Sequence, residues 1–151
     1  MSALAEIRWD KRYSVGCEYI DIQHRNLVGI VNDFFRAVRQ EGDREMLASI
    51  LTRLVRYAEE HFQDEERLAA AAGFPADKLE VHKREHEKLT LAIFHIAELY
   101  GSRADLQKSV EETATLLKRW LLDHILDADM QEAPYLSRLD DKVIQKVLKR
   151  S

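Results

Sequence analysis

The chain has 151 residues, of which 46% are hydrophobic and 33% are charged, a composition typical of a globular protein. A domain of this length buries about 70% of the surface of its unfolded chain, so its core needs no disulfide. The single cysteine, Cys17, excludes an intramolecular disulfide, and the net charge of -4 argues against nucleic acid as a partner. Because the sequence contains no apolar run of about 20 residues and no signal-peptide pattern, we expect a cytoplasmic protein without a membrane partner.

Four long segments carry the spacing of apolar side chains that predicts amphipathic helices. They span roughly 18–40, 43–72, 76–100 and 103–128. Each of the first three is followed by a glycine suited to a left-handed helix end: Gly42, Gly73 and Gly101. Because short connections make neighbouring helices antiparallel, the sequence predicts an all-α fold, an up-down-up-down antiparallel four-helix bundle.

Two further segments flank the bundle, which we expect over residues 18–130. Residues 1–17 should form an N-terminal arm anchored by Trp9. Residues 131–151 should form a C-terminal tail, in which 135–151 is a short amphipathic fifth helix with one apolar stripe: Leu136, Leu139, Val143 and Val147.

Five of the six histidines fall on the predicted inward faces: His24, His61, His82, His86 and His124. A buried imidazole nitrogen without a partner costs about 1–3 kcal/mol, and metal ions would satisfy all five rings together. His61 stands four residues before Glu65, so both side chains share one helix face. The same spacing separates His82 from His86. Measured along antiparallel helices, the five imidazoles and Glu65 fall within a slab roughly 10 Å deep.

Two residues do not follow this pattern. Asp129 stands five residues after His124, an offset of about 140° around a regular helix. Either the fourth helix ends or bulges there, or Asp129 is not a ligand. His95 stands nine residues after His86, about 180° around the helix, and we expect it on the outer surface.

The motifs that contain these residues resemble those of hemerythrin, in particular the single-domain bacteriohemerythrins. They lie between residues 9 and 130 and comprise Asp21-Ile-Gln-His24, His61-Phe62-x-x-Glu65, His82-x-x-x-His86 and Trp120-Leu121-x-x-His124-x-x-x-x-Asp129. The resemblance implies a non-haem di-iron centre that binds dioxygen reversibly.

The resemblance also implies a role for each residue. Three histidines would hold one iron: His82, His86 and His124. Two would hold the other, which keeps an open position for dioxygen: His24 and His61. Two carboxylates would bridge the ions beside a solvent-derived oxo or hydroxo group: Glu65 and Asp129. Four side chains would line the oxygen pocket: Phe62, Trp120, Leu121 and Ile125.

Other acidic residues near these motifs receive simpler interpretations. Asp64 and Glu66 flank Glu65 in sequence, and we expect them on a solvated face. Members of the family often have an aromatic residue three positions after the bridging aspartate, where this chain has Glu132.

The leading interpretation is reversible dioxygen binding by a monomer that is not an enzyme, for oxygen storage or for delivery to an oxygen-consuming enzyme. Three alternatives stay open: a sensor of oxygen or redox state, a di-iron enzyme acting on nitric oxide or peroxide, and a structural bundle with zinc or no metal. Five imidazoles and two carboxylates carry less negative charge than the carboxylate-rich ferritin-like sites, which favours binding over oxidation.

Overall fold

The computed structural model of the chain describes residues 5–100, 106–124 and 129–149. Four long helices account for most of them: α1 (Glu18–Arg39), α2 (Arg44–Ala71), α3 (Ala76–Tyr100) and α4 (Leu106–Asp123). Two short helices follow, α5 (Ala133–Leu136) and α6 (Asp141–Val147). The all-α prediction is therefore confirmed. None of the helices in the described ranges combines the length and the apolar run that crossing a bilayer requires.

Side-chain pairs show that α1 and α2 run antiparallel. Near the start of α1, the hydroxyl of Tyr19 donates to Asp64, which lies late in α2. Further along α1, Asp33 accepts from Arg53, which lies earlier in α2. Helix α2 also packs against α3, and α4 packs against both α1 and α3, which closes the four-helix bundle.

The main hydrophobic core lies between the four long helices. Each helix contributes fully buried side chains to it, for example Val31, Leu51, Ile93 and Leu117, all 0% exposed. Burial of such stripes stabilises the helices far more than their intrinsic propensity does.

Two of the predicted left-handed glycines can be checked in the structure. Gly73 has φ 88° after α2 and confirms the prediction. After α1 the left-handed residue is Glu41, with φ 58°, so the prediction for Gly42 was wrong by one position. Glycine is needed at Gly42 for a different reason, since an added Cβ would lie only 3.0 Å from the carbonyl oxygen of Ala37. Gly101 lies outside the described residues.

Hydrogen bonds fix the N-terminal arm to α1. The backbone N–H and carbonyl of Ile7 pair with the side-chain amide of Asn32, at 2.8 Å in each direction. The carboxylate of Asp21 accepts from the backbone N–H of Val15 at 2.9 Å. Trp9 packs against the core but is only partly buried, whereas Val15 is 1% exposed.

The C-terminal tail differs from the single helix predicted over 135–151. A new helix, α6, begins after Asp140, whose carboxylate caps it by accepting from the N–H of Val143 at 2.9 Å. Because the helix restarts there, the apolar stripe changes phase and Val143 is 38% exposed. The buried tail residues pack against Val15, Cys17 and Ile20: Leu136, Ile144 and Leu148. The boundaries expected for arm, bundle and tail stay predictions.

Candidate metal centre

A buried cluster of imidazoles and carboxylates lies inside the bundle. Five predicted ligands offer donor atoms that all lie within 4.8 Å of one another: His24, His61, Glu65, His124 and Asp129. Glu65 also belongs to a second group of the same kind, with His82 and Glu132. Nε2 of His86 lies 3.5 Å from Oε1 of Glu65. The structure thus brings the seven predicted residues together around Glu65.

Asp129 joins the cluster from beyond α4. Helix α4 spans Leu106–Asp123, and the structure describes the chain again from Asp129. Asp129 begins the 3₁₀ turn Asp129–Gln131, and its Oδ2 lies 3.0 Å from Nε2 of His124. The five-residue offset therefore does not keep Asp129 out of the cluster, and its role as a ligand stays a prediction.

Four of the five imidazoles turn Nε2 toward the two central carboxylates. For Glu65, Oε2 lies 3.1 Å from Nε2 of His61, while Oε1 faces Nε2 of His86. For Asp129, Oδ2 lies 2.7 Å from Nε2 of His24. The Nε2 atoms of separate helices thus converge on one small volume.

A chain of hydrogen bonds holds the far side of His61. Its Nδ1–H donates to Oε1 of Gln23 at 2.8 Å, because an amide oxygen can only accept. The amide nitrogen of Gln23 donates in turn to Oδ2 of Asp64 at 2.8 Å. Asp64 is 1% exposed, so the expectation of a solvated face was wrong for this residue. Its spacing of three residues after His61 was the available signal.

Carboxyl groups bind the Nδ1 atoms of two other imidazoles. Nδ1–H of His86 donates to Glu66 at 2.7 Å, and the side chain of Glu66 is only 21% exposed, which corrects its expected solvated position. Nδ1–H of His82 donates to Glu132. Glu132 is 0% exposed, and the sequence marked it only as a departure from the family pattern.

Several buried donor atoms in the cluster lack an aligned hydrogen bond within the described residues. They include both side-chain oxygens of Glu65, both of Asp129, Nε2 of His86 and Nε2 of His124; Nδ1 of His24, Nδ1 of His124 and Oε2 of Glu132 are also without one. Polar atoms of native interiors are normally satisfied, so this convergence needs a common partner. Imidazole nitrogens and carboxylate oxygens are donors that iron and other first-row metals accept. The residues present therefore fit a metal centre.

The protonation of the cluster shows its attraction for positive charge. Burial opposes protonation of His24, yet the nearby Asp129 and Glu65 raise its pKa to about 9. Burial likewise opposes protonation of His86, but Glu65 and Glu66 raise its pKa to about 10. Burial tends to raise the pKa of Glu65, but hydrogen bonds with His24, His61 and His86 hold it well below its usual range. A metal ion that binds here replaces protons held by these groups.

Glu132 behaves in the opposite way to Glu65. Burial first, and then the negative charges of Glu65 and Asp129, raise the pKa of Glu132 to about 12. In the metal-free protein Glu132 therefore keeps its proton at neutral pH.

Apolar side chains pack beside the cluster. The ring of Phe62 stacks on His86, with centroids 4.1 Å apart and planes at 5°. Trp120 lies next to Phe62 at 6.3 Å between centroids, and Leu121 is 0% exposed. The fourth predicted pocket residue, Ile125, lies outside the described residues.

His95 lies away from the cluster. Its side chain is 72% exposed, and its contact with Glu98 at 3.8 Å is a surface pair.

The sequence that carries this set of donor atoms matches a known protein family. The sequence profile of the family described as Hemerythrin HHE cation binding domain matches residues 15–136. The chain belongs to the hemerythrin family. Hemerythrins hold a di-iron centre, and the buried imidazole–carboxylate cluster of this chain is suited to metal binding.

Individual relatives cover most of the chain. A bacteriohemerythrin of Clostridium acetobutylicum is 30% identical over 128 residues, which are 82% of this chain and 95% of the relative. A bacteriohemerythrin of Pseudomonas aeruginosa is 32% identical over 83% of this chain and 78% of its own length. A myohemerythrin of Theromyzon tessulatum is 27% identical over 82% of this chain and 88% of its own length.

Proposed function

We propose that this hemerythrin binds dioxygen reversibly at its di-iron centre and serves oxygen storage or delivery rather than catalysis. One observation carries the proposal. Five imidazoles and two carboxylates share a buried cluster, and four of the imidazoles direct Nε2 toward those carboxylates. When bound, the two irons supply the open coordination position and the electrons that reversible dioxygen binding requires.

The ligand assignment is part of this proposal. Glu65 and Asp129 lie centrally and would bridge the two ions. His24 and His61 would hold one ion, since their Nε2 atoms lie 3.1 Å apart. The remaining histidines would hold the other: His82, His86 and His124.

The chain around the ligands holds them in place and excludes water. Gln23 and Glu66 fix Nδ1 of their imidazoles and so leave Nε2 free for a metal. Phe62 and Leu121, both at most 3% exposed, remove water from one side of the site. A dry wall limits the access of protons and anions, which favours release of the ligand unchanged over further reaction.

A surface cleft offers a route to this wall. It has a volume of about 480 Å³, lies between α3 and α4, and is lined by Leu89 and Leu116 as well as by Trp120 and His124. Charged side chains also line the cleft: Glu85, Lys88, Arg119 and Asp123. A small neutral molecule can approach the site along this open cleft, whereas a large substrate finds no enclosed pocket in it.

An oxygen-uptake experiment tests the proposal against an enzymatic role. The iron-loaded, reduced protein is placed in a sealed cell, and dissolved dioxygen is measured during addition and again after the gas phase is exchanged. We expect uptake of one dioxygen per two irons and its recovery on exchange. Continuous consumption in the presence of a reductant would contradict storage or delivery and favour an enzyme.

A further inference from the structure

Glu132 is a buried carboxyl group that the proposed ligand set does not use. It stands between the turn Asp129–Gln131 and α5, and its side chain is 0% exposed. One carboxyl oxygen accepts the proton of His82 Nδ1, and the other has no hydrogen-bond partner within the described residues.

We propose that Glu132 is a positioning residue of the metal centre, which holds His82 by its Nδ1–H and directs Nε2 of that ring to the metal. The inference rests on the proposed function, because it assumes that His82 is a ligand.

His82 depends on this contact more than the other imidazoles do. Each of the other four has Nε2 within 4.0 Å of an oxygen of Glu65 or Asp129. In the described part of the chain, the carboxylate within that distance of His82 is Glu132 instead. The orientation of the His82 ring is therefore set from its Nδ1 side.

The side chain of Glu132 is not needed for local backbone structure. Its carbonyl oxygen accepts from the N–H groups of Tyr135 and Leu136, each at 2.9 Å, and so begins α5. Its carboxylate makes no capping hydrogen bond to that helix. Replacing the side chain therefore leaves these backbone bonds available.

The test compares Glu132→Leu, which removes the acceptor, with Glu132→Gln, which keeps an acceptor on a side chain of the same length. Glu112→Gln, an exposed position on α4, is the matched control for a lost carboxylate. The metal probe is Zn(II), because a diamagnetic ion permits nitrogen NMR of the ¹⁵N-histidine-labelled protein.

We expect Glu132→Leu to lose Zn(II) affinity by about 10–100-fold and to lose the slowly exchanging His82 Nδ1–H signal. Glu132→Gln should recover most of the affinity. It should also keep the slowly exchanging His82 Nδ1–H signal, because an amide oxygen accepts from Nδ1–H as a carboxyl oxygen does. Glu112→Gln should match the wild type in both measurements.

Other outcomes would overturn the inference. They are wild-type Zn(II) affinity in Glu132→Leu, or a wild-type spectrum that shows Nδ1 of His82 bound to the metal. If Glu132→Leu does not fold, the wild-type spectrum decides: a His82 Nδ1–H signal that exchanges freely with water overturns the inference. His61→Ala separates the two proposals: if it too binds Zn(II) normally, the metal centre itself is wrongly placed, whereas loss in His61→Ala alone refutes only the role of Glu132.

Discussion

Oδ2 of Asp129 lies 2.7 Å from Nε2 of His24, and neither side chain is exposed to solvent. His24 lies in the second turn of α1, whereas Asp129 follows the end of α4. This contact joins the first and last long helices of the bundle through groups that bind either a proton or a metal. Assembly of the site therefore depends on the complete bundle.

The ligand assignment predicts opposite results for two histidine substitutions. His61→Ala should lose at least one metal ion per chain, because its Nε2 lies 3.1 Å from the central carboxylate of Glu65. His95→Ala should keep the wild-type metal content, because that side chain is 72% exposed. Elemental analysis of both purified variants measures the difference. Equal losses in both variants would contradict the assignment.

Metal binding should become tighter as the pH rises from 7 to about 9. The pKa of His24 is raised to about 9 and that of His86 to about 10, so both rings carry a proton at pH 7 in the metal-free protein. A ligating imidazole must be neutral, so the metal displaces these protons and competes with them less as the pH rises through each pKa.

A titration with Zn(II) in weakly buffered solution at pH 7 measures this competition. It should release about two protons per chain, one from each raised imidazole. An affinity that stays constant between pH 7 and 9, or binding without proton release, would show that these rings are neutral in the metal-free protein.

Leu121→Ala should shorten the lifetime of the oxygen-loaded protein. Leu121 is 0% exposed and stands one turn before His124, so its loss opens space beside the proposed site. Water and anions then reach the iron, and autoxidation should be faster than in the wild type. Stopped-flow or slow optical traces of the loaded protein in air measure the rate.

Leu47→Ala is the matched control for the cavity itself. Leu47 is also buried, at 1% exposed, but lies on α2 about 21 Å before His61 along the helix. Both variants should lose about 2–5 kcal/mol of unfolding free energy. Autoxidation at equal rates in the two variants would show that Leu121 does not guard the site.

Replacement by alanine should have opposite effects on stability at two glycines with different backbone conformations. Gly73→Ala should cost about 1–2 kcal/mol, because Gly73 has φ 88° and an L-residue is strained there even though the space is open. Gly29→Ala, inside α1 and equally free of clashes, should instead stabilise the chain by about 0.5–1 kcal/mol. Denaturant unfolding of the metal-free variants measures both effects. Destabilisation by Gly29→Ala as large as that by Gly73→Ala would contradict the conformational argument.

The sequence predicted the bundle well because each helix repeats its apolar residues with a helical period. That period depends only on local spacing, and the buried residues Leu51 and Ile93 follow it. The same method placed His61 and Glu65 on one face of α2, where the structure has them in contact.

Features that depend on helix ends were harder to predict. The offset between His124 and Asp129 permitted two interpretations, because spacing alone does not say where α4 stops. The apolar stripe predicts a single helix for the tail, although Asp140 before Val143 has the pattern of a new N-cap. That cap marks the correct start of the last helix.

The sequence does not indicate which acidic side chains are buried. Because acidic side chains are mostly exposed in proteins, a solvated face was expected for Asp64 and Glu66, although each contacts a group of the cluster. Asp64 shared the helix face of His61, and that spacing was a usable signal. The burial of Glu132 depends on the turn after α4, for which no local pattern exists.

Optical spectroscopy of the iron-loaded, reduced protein tests the central claim most directly. Spectra are recorded without oxygen, after air is admitted and after oxygen is removed again, with iron counted per chain. Reversible dioxygen binding predicts two irons per chain, a new absorption band in air, and return of the first spectrum on removal, over repeated cycles. An unchanged spectrum in air, or a change that persists when oxygen is removed, would contradict reversible binding at this cluster.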